Sequence, residues 1–205
     1  LHSIPDNPPD WTGDPDPAAF LSPYGTLFRK SALALLVFLG RGYTQRFHVR
    51  DLARSLGYDV SIVSRNLKAI EGMGLVTRED VGNLAFYRAN MESALLRHMK
   101  VCFSLLELND LVRALAPIAS NIVLYGSCAT GEDTVESDID LFIETADRAS
   151  AAERVDAFAR TARRPVSAIV ATPADLYAMK TSDPALYASI RRGITLKEAG
   201  DVAPV

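Results

Sequence analysis

The stretch Ile122–Phe142, reading IVLYGSCATGEDTVESDIDLF, constrains this chain more than any other. It opens on an apolar, β-branched run, Asn121–Tyr125, that reads as a short buried strand ending in Gly126–Ser127. A residue without Cβ at a strand end lets backbone come close to a ligand. A helix opening directly after it would offer free N–H groups and a favourable dipole to a phosphate, and the Ser127 hydroxyl would add a donor. Gly-Ser alone is an ordinary turn, but ten residues separate Ser127 from Asp138, and Asp140 follows two positions on. On a strand those two carboxylates point to the same face. They repel each other, so they need open water or a hard divalent cation such as Mg²⁺ or Mn²⁺ between them. Leu141, Phe142 and Ile143 argue against a wholly solvated strand.

GSxxxG, the ten-residue interval, and a DxD followed by apolar residues together resemble the minimal nucleotidyltransferases of the DNA polymerase β superfamily. The resemblance spans residues 108–198 and rests on Gly126, Ser127, Ala129, Gly131, Ser137, Asp138 and Asp140, with Ile190–Leu196 (IRRGITL) resembling the family's C-terminal helix and exit. It implies transfer of a nucleoside monophosphate from an NTP. Gly126 and Ser127 would hold the triphosphate, and Asp138 and Asp140 would be both catalytic and metal-binding through Mg²⁺ (or Mn²⁺) in a two-metal clamp. Two departures stand against the family pattern. The third carboxylate expected on the next strand, Val166–Ala171, falls on the neutral Ser167, and Cys128 stands where many members carry Arg. Nucleotide binding can therefore outlast catalysis. Cys128 itself reads as a small packing residue rather than a reactive thiol.

The N-terminal half has a different pattern. Tyr24–Leu39 has helical periodicity and ends at Gly40, Val49–Leu56 is stopped by Gly57, and Val60–Met73 follows with Ser61 as N-cap. Leu75–Arg78 and Leu84–Arg88 read as strands joined around Gly82–Asn83. Helix, helix, helix and hairpin over residues 25–90 resemble the winged helix-turn-helix regulators of the MarR or ArsR kind. On the third helix, Ile62, Val63, Leu67 and Ile70 are expected to pack inward, leaving Ser61, Ser64, Arg65, Asn66 and Lys68 toward double-stranded DNA. Arg and Asn can pair with base edges, while Ser61 and Lys68 suit phosphates. Arg78 and Arg88 would belong to the wing.

The expected fold class is α+β. It comprises a flexible arm (1–20), a winged helix-turn-helix DNA-binding domain (21–90), a linker or dimerisation helix (91–118), and a minimal nucleotidyltransferase domain with a small mixed sheet (119–198). Within the long helix Glu92–Ala116, Leu95, Met99, Phe103, Leu106 and Leu111 are expected to line one apolar face, which a second copy could share. Ala149–Ala162, Asp175–Met179 and Pro184–Arg192 read as further helical segments. Charge supports the division. Residues 1–20 carry four Asp and no Lys or Arg, residues 21–90 carry ten basic against five acidic side chains, and residues 121–205 carry nine against thirteen. Trp11 would tack the arm onto the body. No apolar run is long enough to span a membrane, and Cys102 and Cys128 form no disulfide framework, so a cytoplasmic protein is expected. Cys102 is expected in the core, Arg163–Arg164 at a solvated helix end, and His2, His48 and His98 show no metal-ligand spacing.

Function reads as a DNA-binding protein that binds Mg-NTP and transfers NMP to a protein or nucleic-acid hydroxyl. The alternatives are a catalytically lapsed, nucleotide-sensing transcription regulator, or an antitoxin that meets a toxin partner.

Overall fold

The computed structural model describes residues 25–198. The expected arm, with Trp11 and His2, lies outside the described residues. In chain order the elements are α1 (Lys30–Arg41), β1 (Phe47–His48), α2 (Val49–Leu56), α3 (Val60–Gly72), β2 (Val76–Val81), β3 (Leu84–Ala89), α4 (Ala94–Leu115), β4 (Ala119–Tyr125), α5 (Ser127–Thr130), β5 (Ile139–Thr145), α6 (Arg148–Ala159), β6 (Val166–Ala171), α7 (Pro173–Ser182), α8 (Pro184–Arg191) and β7 (Ile194–Lys197). The class is α+β, with two separate sheets. One has three antiparallel strands in the order β1-β3-β2; the other is mixed, in the order β6-β5-β4-β7, with only β5 and β6 parallel.

The first sheet packs with α1, α2 and α3 around a core built from Leu35, Leu36, Leu39, Leu52, Leu67 and Ile70, giving a winged helix-turn-helix. The expected helix is interrupted: a helical turn at residues 25–27 is broken at Phe28–Arg29, and α1 follows with both ends shifted. It starts at Lys30 and runs through Gly40 to Arg41. A glycine usually marks a helix end, but here it makes room: a Cβ at Gly40 would press on the Lys100 side-chain stem at 3.3 Å. On α3 the N-cap is Asp59 rather than Ser61, which lies exposed in the first turn. Val63, Leu67 and Ile70 are buried as expected, but Ile62 points outward.

Helix α4 belongs to both cores. Leu96 packs into the first, and Leu108, Leu111 and Leu115 pack into the second, beneath the four-stranded sheet. Its buried stripe is Leu96, Lys100, Ser104, Leu108, Leu111 and Leu115. The expected face is therefore rotated: Leu95 and Leu106 are 49% and 74% exposed, and Cys102 is exposed rather than in the core. The cause is a buried polar cluster that takes two positions of the stripe. Lys100 is 2% exposed, and its Nζ donates to the carbonyls of Gly40 and Asp133, each at 2.6 Å. Arg164 donates to Asp133 Oδ2 at 2.8 Å, to Glu107 Oε2 at 2.9 Å and to Ser104 Oγ at 3.4 Å. Arg41, from the end of α1, pairs with Glu107. Arg164 is thus buried in the junction, not at a solvated helix end. Burial holds the Lys100 ammonium below the usual lysine range, against the opposing pull of Asp133. The cluster ties α1, α4, the start of β6 and the loop ahead of β5 into one unit.

Candidate nucleotide site and nucleic-acid face

Strand β4 brings Tyr125 opposite Asp140 on β5, and β6 brings Ser167 alongside Asp140 from the other flank. Gly126 then takes φ +70 and ψ −156, a conformation open to glycine and strained for other residues. Space demands glycine as well, since a Cβ at Gly126 would overlap the Asp140 carboxylate. Four residues, Ser127–Thr130, close a single helical turn before Gly131 reverses the chain at φ +73. A Cβ at Gly131 would strike the backbone of Arg97, so α4 pins the loop's far end.

The loop returns to β5 through Thr134, whose N–H donates to Ser137 Oγ at 2.9 Å. Buried Cys128 donates its thiol to the Asp138 carbonyl at 3.4 Å. Burial pushes that thiol above the usual cysteine range, which agrees with packing rather than reactivity. Cys128 therefore holds the backbone of the first acid of the pair, a task that only a long-range contact discloses.

Asp138 is exposed and Asp140 half-buried. Among the described residues neither carboxylate has a hydrogen-bond or ion-pair partner. Burial raises the Asp140 carboxyl above the usual carboxylate range, and the neighbouring charge of Asp138 raises it further. The same surroundings raise the Tyr125 hydroxyl, through burial first and Asp140 second. The bend thus meets Asp140, while Asp138 lies just ahead of β5 and near enough to Asp140 to raise its carboxyl. Among the described residues no group of three or more His, Cys, Asp or Glu could hold a metal ion. Ser167 in register with Asp140 accounts for this, because a neutral hydroxyl occupies the flank where a third acid would stand. Two unpaired carboxylates, one of them against a glycine bend, suit one hard cation whose remaining ligands would arrive with a phosphate. They do not complete a second, protein-held position.

Gly126 and Ser127 also line a cavity of about 240 Å³ that contains Arg192 and Glu132. Arg192 caps the C-terminus of α8, with no ion pair among the described residues. It reaches the bend because Ile194–Lys197, the exit that follows the helix, is a strand paired antiparallel with β4. A cation is thus supplied from the far end of the chain, where Cys128 leaves none. Its sequence signal was the Arg191–Arg192 pair before Gly193, whose link to Gly126 depends on the β4–β7 pairing.

On the other unit, Ser61, Arg65 and Lys68 are exposed along α3, and Ser64 is half-buried. Asn66 is not available to a base edge. It is 4% exposed, and its Nδ2 donates to Ser31 Oγ at 2.7 Å, joining α3 to α1. Arg88 is exposed on β3. Arg78 is held by Asp80, with Nε and one terminal nitrogen donating at 3.0 and 2.8 Å. That hydrogen bond to Asp80 raises the Arg78 value. Arg46 pairs with Glu79 at 2.9 Å and lies over the Phe86 ring, so the wing carries acids beside its bases. His48 caps α2 by accepting from the Arg50 N–H.

A winged helix-turn-helix packed against a mixed-sheet unit with a Gly-Ser bend and a DxD strand defines a two-part protein of the nucleotidyltransferase class. The family profile described as Polymerase beta, Nucleotidyltransferase matches residues 89–200. The chain belongs to that family, and the match takes in α4 as well as the mixed sheet. No curated protein matches the chain. Among solved structures it is similar to the reduced HlyU of Vibrio cholerae, at 21% identity over 40% of this chain and 81% of that one, with a TM-score of 0.33. A homodimeric winged helix-turn-helix DNA-binding domain from Mycobacterium bovis shares 23% identity over 45% of this chain and 88% of that one, TM-score 0.36. The antimony-specific transcriptional repressor AntR shares 22% over 54% and 95%, TM-score 0.39. Among the described residues no helix is long and apolar enough to cross a membrane.

Proposed function

We propose that this protein binds a nucleoside triphosphate with a divalent cation at the Gly126–Ser127 bend, and duplex DNA through α3 and the wing. The observation that carries the first part is the Asp140 carboxylate, which lies against Gly126 and has no protein partner. Ser127 and Arg192 line the cavity beside the bend; there the Ser127 N–H and hydroxyl would face the phosphates and Arg192 would add a positive charge, while Asp138 with Asp140, outside that lining, would hold Mg²⁺ or Mn²⁺. The ion, when bound, supplies charge neutralisation for the triphosphate oxygens. Removing divalent ions with EDTA is expected to abolish nucleotide binding.

DNA is addressed by Arg65 toward base edges and by Ser61, Ser64, Lys68 and Arg88 toward phosphates. Arg78 contributes there only by exchanging Asp80 for a phosphate oxygen. Leu95 and Leu106, outward on α4, are the apolar residues that a second copy would cover in a homodimer.

The register of Ser167 beside Asp140 favours nucleotide binding that regulates DNA affinity over rapid turnover. The regulatory reading is tested by duplex-DNA anisotropy titrations with and without ATP and Mg²⁺. A shift in affinity while ATP stays intact supports it; superimposable curves with every nucleotide remove it. In the second reading a protein or nucleic-acid hydroxyl, on a toxin for example, gives up its proton to solvent and bonds the α-phosphorus. The bond from that phosphorus to the bridging oxygen breaks, and pyrophosphate leaves. Incorporation of α-labelled NTP into an acceptor, lost in Asp138→Ala, would establish that reading instead.

A further inference from the structure

A second cavity, of about 590 Å³, lies between the winged helix-turn-helix and the loop that leads to Asp138. We propose that it binds an amphipathic organic anion: a compact apolar body with one acidic head group. The inference does not depend on the nucleotide reading, because the residues that line this cavity are separate from those around Gly126.

Its volume falls in the range typical of small-molecule sites, about 300–1,000 Å³. Val37 and Phe38 of α1, Phe47 of β1 and Leu56 of α2 form one side, and Val135 of the α5–β5 loop reaches in from the other. Phe38 and Phe47 meet edge to face with ring centres 5.1 Å apart, which fixes the apolar wall. Val135 is 64% exposed, an apolar lip with little protein to cover it. These surfaces call for an apolar ligand body.

Charge sets the head group. The lining contains Arg41 and Arg163 and no acid. Arg41 is engaged with Glu107. Arg163 is exposed and has no hydrogen bond or ion pair among the described residues. A free guanidinium at the mouth of an apolar cavity matches a carboxylate or sulfonate, which it can grip through two parallel N–H donors. A bare inorganic ion would leave the apolar wall unfilled, and a neutral apolar molecule would leave Arg163 unanswered.

The test uses the full chain and two probes with the same rings, 1-anilinonaphthalene-8-sulfonate and the uncharged N-phenyl-1-naphthylamine. The sulfonate is expected to bind one to one, and excess ATP with Mg²⁺ should not displace it. Arg163→Gln is expected to weaken the sulfonate about tenfold and to leave the neutral probe within about twofold, the loss of one charge-assisted contact. Val37→Trp should remove both probes. Because Val37 adjoins the core, Val135→Glu at the exposed lip is a second variant that leaves the fold intact and selectively weakens the sulfonate. The proposal is overturned if the folded chain takes up no sulfonate, whether a second copy or the acidic N-terminal segment fills the space. Displacement by ATP, or equal losses for both probes in Arg163→Gln, also overturns it.

Discussion

Asp133 and Asp140 stand seven positions apart in one stretch of chain, and both carry a carboxylate into partly apolar surroundings. Asp133 is met by Arg164 at 2.8 Å, by Lys100 at 3.5 Å and by Arg41 at 3.9 Å. Asp140 is met by a glycine, and its nearest charged neighbour is another acid, Asp138. A buried charge without a partner is costly, so folds normally supply one. Where the chain answers one acid with three cations and leaves a nearby pair unanswered, the answered acid serves the structure and the unanswered pair is left open to a cation from solution. This is the physical basis for assigning the cation to Asp138 and Asp140 and not to the larger charged cluster beside them.

Stability offers the sharpest way to break the contrast. Asp133→Ala leaves Lys100 and Arg164 buried without their shared counter-charge and is expected to cost about 3–5 kcal/mol in urea unfolding. Asp140→Ala removes a charge the fold does not use and is expected to cost far less. Equal costs would mean that both acids are structural.

The same division separates Arg65 from Asn66 on α3. Arg65→Ala is expected to reduce discrimination between operator and mismatched duplex by about 1–3 kcal/mol with little effect on folding. Asn66→Ala leaves Ser31 without its bond and is expected to cost about 1–2 kcal/mol of stability while leaving base preference unchanged. A changed base preference in Asn66→Ala would show that this side chain leaves its pocket.

A smaller effect lies in pH. The folded-state value of Asp140 is raised, so its protonated form favours the fold. That contribution is present in acid, below the unfolded-state value, and is lost as pH rises through the folded-state value. Thermal unfolding without divalent ions should therefore show a component that weakens as pH rises through the weakly acidic range. Asp140→Asn should lack it, and Mg²⁺ should offset it. The opposite slope in the wild-type difference would mean that Asp140 already has a cationic partner.

The bend beside Asp140 was legible because a strand end and the register of the next strand act locally, whereas Asp138 precedes β5 and strand alternation does not place it. Ser127 and Asp140 needed only one strand, one turn and one more strand. Helix α4 was misread for a complementary reason. Its buried stripe includes Lys100 and Ser104, which hydrophobic periodicity scores as outward, and their partners Gly40, Asp133 and Arg164 lie 33 to 60 residues away. Arg164 and Asn66 likewise read as surface residues in the sequence because the groups that satisfy them come from other elements. Strand β1 has two residues and no periodicity of its own. Arg192 reaches Gly126 only through pairing of β7 with β4.

The central claim is that Asp140 completes its surroundings with a divalent cation and the triphosphate that brings it. Calorimetric titration of ATP into the full chain with Mg²⁺, and then into Asp140→Asn, tests this directly. The account predicts one saturable site in the wild type, and a loss of at least tenfold, about 1.4 kcal/mol, in the variant. Equal binding by both proteins, or wild-type binding that survives EDTA, would contradict it.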